Sequence, residues 1–424
     1  MQRMLLAFVV FAFYVNLSAC SGGSSATSAV NYGNGLSDIK VYFESSPYEQ
    51  NIAQCARAKS AEESCILDDL PFIGMESGSP DIDMIMSRVV VSHNWMGLRF
   101  SQVLEQMPRA ILPLFSAVTA IVIDADIRPS YYDNFTGAIY LDPRYLWLSN
   151  TEKQTINKKA DYRSGFDDPL AFSIFSRYMK SGNYAYGYWS LDGSETRQLE
   201  DIKLPLARVL LHELAHANDF LPPGSERNLD SSANVASALI NLPVPLLSSE
   251  LATRDPLTSD LMRSIAGVMY RGNTPSEQDL STTATQAGSA FGDDVASDDY
   301  AYTSQYEDLA MLFENTMMAY FFNATHEIGF ATPKFASAYY CDEFTISWGS
   351  LNRIGDPLVK ERARFVSTEV LVGEDLSAFF FALPAAESTS TNWCIRPSSS
   401  IASMSHARQS VKPVRPDDSR RPYH

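Results

Sequence analysis

His212-Glu213-Leu214-Ala215-His216-Ala217-Asn218-Asp219-Phe220 is the stretch from which the rest of this chain can be read. It has the form H-E-x-x-H. Residues four apart on a helix share a face, so His212 and His216 can present two imidazole nitrogens to one metal ion. For zinc each bond is roughly 2.0–2.1 Å long. Glu213 points into the neighbouring sector, from which a carboxylate reaches an activated water rather than the metal. A Lewis acid, a water of lowered pKa and a base for its proton are what hydrolysis requires. Histidine is scarce, with 6 in 424 residues, which adds weight to two of them falling at this spacing.

The flanks agree with a helix over residues 205–220. Val209-Leu210-Leu211 and Leu214-Ala215 are uncharged, as a helix packed beneath an active site should be. Pro205 suits a first helical turn, and Pro222-Pro223-Gly224 closes the segment.

On these residues the chain resembles the zincin superfamily of zinc metallopeptidases, and His212-Glu213-Leu214-Ala215-His216-Ala217 is similar to its gluzincin branch. The metzincin branch extends the motif with Gly and His where this chain has Asp219 and Pro222. The resemblance implies an α+β fold: a zincin-like catalytic core with a mixed β-sheet, the active-site helix and a mainly helical C-terminal part. It also implies one catalytic Zn2+, a peptide or protein substrate, and Glu213 as general base.

A catalytic zinc keeps three protein ligands and one open position. Asp219 shares the histidine face, but the metal should sit roughly 7.5 Å back along the helix axis, beyond the reach of a short side chain. A supporting role beside the ligands, or at the helix end, suits Asp219 better. Residues 304–322 read as a second amphipathic helix. Gluzincins resemble one another in a Glu-x-x-Ala on such a helix, and here that pattern is Glu307-Asp308-Leu309-Ala310. The resemblance makes Glu307 the third ligand and Asp308 a candidate to orient a histidine. Glu314, two turns on, is the competing ligand. Tyr306 and His326 are candidates to stabilise the oxyanion that forms when water attacks a carbonyl.

The N-terminus carries an address. Met1-Gln2-Arg3 precedes an apolar run from Met4 to Leu17, too short to span a bilayer. It ends in Leu17-Ser18-Ala19-Cys20, which resembles a bacterial lipobox. That resemblance implies a signal peptide over 1–19, a lipid on Cys20, and residence in the cell envelope; Ser21 points to the outer membrane. Residues 20–36 read as a flexible tether. The remaining four cysteines allow three pairings, and the local ones, Cys55–Cys65 and Cys341–Cys394, are expected in an oxidising compartment.

The net charge of −17 argues against nucleic acid as a partner and against a basic membrane-binding face, which leaves the lipid as the membrane contact. With 45% hydrophobic residues the chain can build a large core. One catalytic unit is expected over 37–395, comprising an N-terminal part (37–203), the two motif helices and a C-terminal part (323–395), followed by a disordered tail at 396–424.

Within that unit, residues 38–45 read as a strand, and residues 83–106 and 110–118 as mostly helical. Residues 120–126 and 137–143 read as a hairpin; the zincin resemblance implies an edge strand that binds extended peptide, for which 137–141 is the candidate. Residues 145–200 read as irregular. The polar stretch from Gly272 to Asp299 reads as a mobile loop or lid. The rival reading is a non-catalytic envelope lipoprotein that binds a partner or ligand, with a structural or vestigial zinc site.

Overall fold

A computed structural model describes residues 36, 38–187, 189–334 and 343–389. The fold is mixed α and β, with two five-stranded sheets. Cys20, the 1–19 segment, the Cys341–Cys394 pair and the 396–424 tail lie outside the described residues.

The first sheet contains β1 (Lys40–Val41), β2 (Val89–Val91), β3 (Ile121–Ile123), β4 (Tyr131–Asp133) and β5 (Ala138–Leu141). Its order is β1-β2-β3-β5-β4; β2, β3 and β5 run parallel, while β1 and β4 are antiparallel to their neighbours. The inner strands are apolar without interruption, as strands covered on both faces should be. Val89, Val91, Ile121, Ile123, Ile139 and Leu141 face the main core, and Val90, Val122, Ala138 and Tyr140 face a smaller one. That smaller core is closed by the segment carrying Ile52 and Cys55, and the Cys55–Cys65 disulfide is formed.

Three expectations fail here. Residues 120–126 and 137–143 are parallel neighbours, not a hairpin; the hairpin is β4–β5. The strand at 138–141 is therefore interior, and β4 is the edge. Residues 83–106 also divide, into a short helix at Ile82–Met86, strand β2 and a helix at Asn94–Leu104. Three consecutive valines favour a pleated, buried strand over a helix.

The second sheet contains β6 (Ser173–Lys180), β7 (Asn183–Tyr184), β8 (Thr325–Thr332), β9 (Thr345–Leu351) and β10 (Glu387–Ser388), all antiparallel in the order β10-β9-β8-β6-β7. Residues 145–200 are thus not all irregular, and the C-terminal part contributes two long strands as well as the helix Pro357–Val370. The polar stretch 272–299 is no lid. It holds helices Glu277–Ser281 and Ala284–Gly292, and Ala284, Ala287, Phe291 and Ala296 pack with Ile328 and Phe330 of β8. Its Ser and Thr residues act as helix caps: Ser276 and Thr283 accept the N–H groups of Asp279 and Gln286.

The motif helix runs Leu199–Phe220, six residues longer than Pro205 suggested. Asp201 accepts the Gln198 N–H at 2.7 Å and secures the earlier start. Pro205 lies inside the helix, and burial of almost every later side chain outweighs its missing N–H. The second motif helix, Gln305–Phe322, matches its expected span. Ser304 caps it by accepting the Glu307 N–H, and Asn323 ends it in the left-handed region at φ 51°.

Candidate metal centre

Arg208, His212 and His216 follow one another at intervals of four along the motif helix, while Glu307 and Glu314 stand two turns apart on its partner. The two helices run in opposite directions, so the side chains interleave as a ladder: Arg208, Glu314, His212, Glu307, His216. Each contact follows this order. Glu314 Oε1 lies 3.5 Å from Arg208, and its Oε2 lies 3.2 Å from His212 Nδ1. Glu307 Oε2 lies 3.0 Å from His212 Nε2 and 3.4 Å from His216 Nε2.

His212 Nε2, His216 Nε2 and Glu307 Oε2 form one triangle, whose third side, between the two nitrogens, is 3.1 Å. Ligands held tetrahedrally at zinc bond lengths stand roughly 3.3–3.4 Å apart, so the three atoms are spaced as three corners of such a site. Among the described residues this is the group of His, Cys, Asp and Glu able to hold a metal ion. The donor chemistry agrees. An ionised carboxylate only accepts, so Glu314 keeps the His212 proton on Nδ1 and leaves a lone pair on Nε2. With His216 in the same tautomer, three lone pairs converge on one point, an arrangement that a cation relieves.

The electrostatics report the same demand. Burial alone would raise the Glu307 pKa, but the two imidazoles outweigh it and hold the carboxyl well below its ordinary range. Burial disfavours charged His212, yet Glu307 and Glu314 outweigh it and raise its pKa. Burial likewise opposes ionised Glu314, and Arg208 first, then His212 and Tyr178, bring it below the usual value.

Glu213 is 1% exposed and accepts the backbone N–H of Tyr132 on edge strand β4. Burial pushes its pKa up to about 6, with the two histidines partly offsetting that rise. A carboxylate at that value is a competent base near neutrality.

The other expected residues are distributed differently. Asp308 faces away from the histidines and forms a two-pronged ion pair with Arg362 at 2.5 and 3.1 Å. The carboxylate on His212 Nδ1 is Glu314, which stands outside the triangle of His212 Nε2, His216 Nε2 and Glu307 Oε2. Asp219 accepts the Ser248 N–H at 2.8 Å, tying the motif helix to helix Leu247–Arg254, and acts on His216 through its charge. His326 lies on β8 with Nε2 on Asp298 at 3.2 Å, so that nitrogen is turned to a carboxylate rather than to a reacting carbonyl. Tyr306 stacks on Phe220 at the end of the motif helix, with ring centroids 5.4 Å apart.

Sequence reasoning missed four neighbours. Arg208 was legible as one further step of the four-residue spacing. Tyr178 bonds Glu314 at 2.6 Å, Tyr300 stands 6.4 Å from the His212 ring, and Tyr162 feels the charge of Glu307. Tyr178 and Tyr162 come from distant segments and Tyr300 from the turn just before the second motif helix, and no spacing announces them.

No protein-family model matches the sequence, no curated protein matches it, and no solved structure matches the fold.

Proposed function

We propose that this protein is a zinc-dependent metallopeptidase with a gluzincin-like site. The observation that carries the reading is the triangle of His212 Nε2, His216 Nε2 and Glu307 Oε2, with Glu213 next to His212 on the same helix. These residues suit zinc in number, donor type and spacing. Bound there, zinc supplies Lewis acidity to a substrate carbonyl and to water. Glu213 takes the proton of the attacking water and delivers it to the leaving amine. The Tyr132 N–H holds the Glu213 carboxylate in place. Tyr162 and Tyr300 bring phenol rings near Glu307 and His212, where a developing oxyanion would need a donor.

The test is zinc content and cleavage of a peptide library by wild type and Glu213→Gln. The variant should keep its zinc and lose hydrolysis. Cleavage at the wild-type rate by the variant would sink the mechanism.

An envelope setting, with Cys20 carrying a lipid, belongs to the same proposal. The lipobox-like Leu17-Ser18-Ala19-Cys20 supports it, as does the Cys55–Cys65 disulfide, which suits an oxidising compartment. Labelled fatty acid should enter the wild type and not Cys20→Ala.

One observation favours the second reading, a non-catalytic lipoprotein that binds a partner: His212, Glu213 and His216 are each at most 2% exposed. A zinc-replete protein that cleaves nothing in the library, yet keeps its zinc, would decide for it.

A further inference from the structure

Glu314 is buried at 1% exposure, and its carboxylate is held from two directions. Arg208 approaches from the motif helix, one turn before His212, and Tyr178 reaches in from β6 of the antiparallel sheet. The Tyr178 hydroxyl lies 2.6 Å from both Glu314 Oε1 and Asn315 Oδ1. A phenol has one proton for these two acceptors, while the buried Asn315 Nδ2 has no partner. Turning the Asn315 amide over gives its N–H to the phenol oxygen and leaves the phenol proton for Glu314. The carboxylate then has one oxygen fixed by Tyr178 and Arg208 and the other on His212 Nδ1. Arg208 has the Tyr145 hydroxyl at 3.4 Å as a further contact, so Glu314 is the carboxylate that its charge answers among the described residues.

We infer that Tyr178 and Arg208 are positioning residues for the metal centre: they hold Glu314 in place, and Glu314 fixes the proton and the orientation of His212. Through Tyr178 the antiparallel sheet, which contributes no ligand, controls how well the helix pair holds a metal. This inference rests on His212 being a metal ligand. Glu314, hydrogen-bonded to a ligand, is a partner of the kind worth roughly 10- to 100-fold in affinity, and Tyr178 and Arg208 act through it.

Chelator competition on the full chain measures the zinc dissociation constant of wild type, Tyr178→Phe, Glu314→Gln and the double variant. Glu314→Gln should bind zinc on the order of 10-fold more weakly or worse, and Tyr178→Phe more weakly than wild type but no more weakly than Glu314→Gln. Because Tyr178 acts through Glu314, the double variant should bind no more weakly than Glu314→Gln alone. The melting temperature of each metal-free variant separates lost affinity from lost folding. Wild-type affinity in Tyr178→Phe, or losses that add in the double variant, would overturn the inference while leaving the metal site standing. Wild type that binds no zinc would overturn both. Should Tyr178→Phe fail to fold, Glu314→Gln still decides: wild-type zinc affinity in that variant refutes the clamp.

Discussion

Oε2 of Glu307 lies 3.0 Å from Nε2 of His212, the ring nitrogen opposite the one that faces Glu314. One imidazole is thus gripped by two carboxylates that do different things. On the proposed metal site, Glu307 is the ligand and Glu314 the group that orients one. Glu307→Ala should therefore lose stoichiometric zinc, whereas Glu314→Ala should retain it with affinity lowered roughly 10- to 100-fold. Metal analysis after gel filtration separates the two, and the reverse order would exchange their roles.

Glu213→Gln should lower kcat/KM by roughly 10²- to 10⁴-fold, the usual worth of a positioned base. In wild type, kcat/KM should fall on the acid side as Glu213 takes up a proton, below the value of about 6 that burial gives it in metal-free protein, because a bound cation favours the carboxylate. An acid limb that persists unchanged in Glu213→Gln would remove Glu213 from the rate-limiting proton transfer.

The same residue makes a stability prediction in metal-free protein. Its folded pKa is raised from 4.5 to about 6, so the folded state binds this proton more tightly than the unfolded state does. Above pH 6 the folded protein holds an ionised carboxylate against the preference of its surroundings, a cost of about 2 kcal/mol for a shift of this size. Gln keeps an acceptor for the Tyr132 N–H and removes the charge. Metal-free Glu213→Gln should melt higher than wild type at pH 8, and the advantage should shrink as pH falls from 6 toward 4.5. Thermal melts across that range would show the opposite trend if Glu213 were stabilised as an anion.

Asp308 and Arg362 form a buried pair that joins the second motif helix to helix Pro357–Val370. Removing one partner strands the other charge, so Asp308→Ala should cost about 3–5 kcal/mol of stability. Below its melting transition the variant should bind zinc like wild type. A direct loss of zinc affinity in the folded variant would restore Asp308 to the metal centre.

Cys55→Ala with Cys65→Ala should lower stability by about 2–3 kcal/mol, as expected for opening a short cross-linked loop. The disulfide closes the face of the first sheet opposite the motif helix, so zinc content should be unchanged. Denaturant unfolding and metal analysis of the same sample check both halves.

The local sequence determined the two motif helices and the residues each carries. Spacing of four puts Arg208, His212 and His216 on one face by helix geometry alone. Likewise Cys55 and Cys65 paired as near neighbours in sequence should. What local sequence could not decide was which side of the second helix meets the first. Asp308 and Glu314 are both acidic and both plausible beside a histidine; only the packed helix pair turns one to Arg362 and the other to His212. The polar run before Tyr300 looked like a lid because Ser and Thr mark loops and helix caps alike, and only packing against β8 tells these apart. Strand order is non-local in the same way: β4 became the edge because β5 pairs across to β3, a contact no short window contains. Tyr178 is the clearest case. It stands 136 residues from Glu314 in sequence and 2.6 Å from it in space. Periodicity reports which residues share a face, whereas the partner of that face depends on the fold of the whole chain.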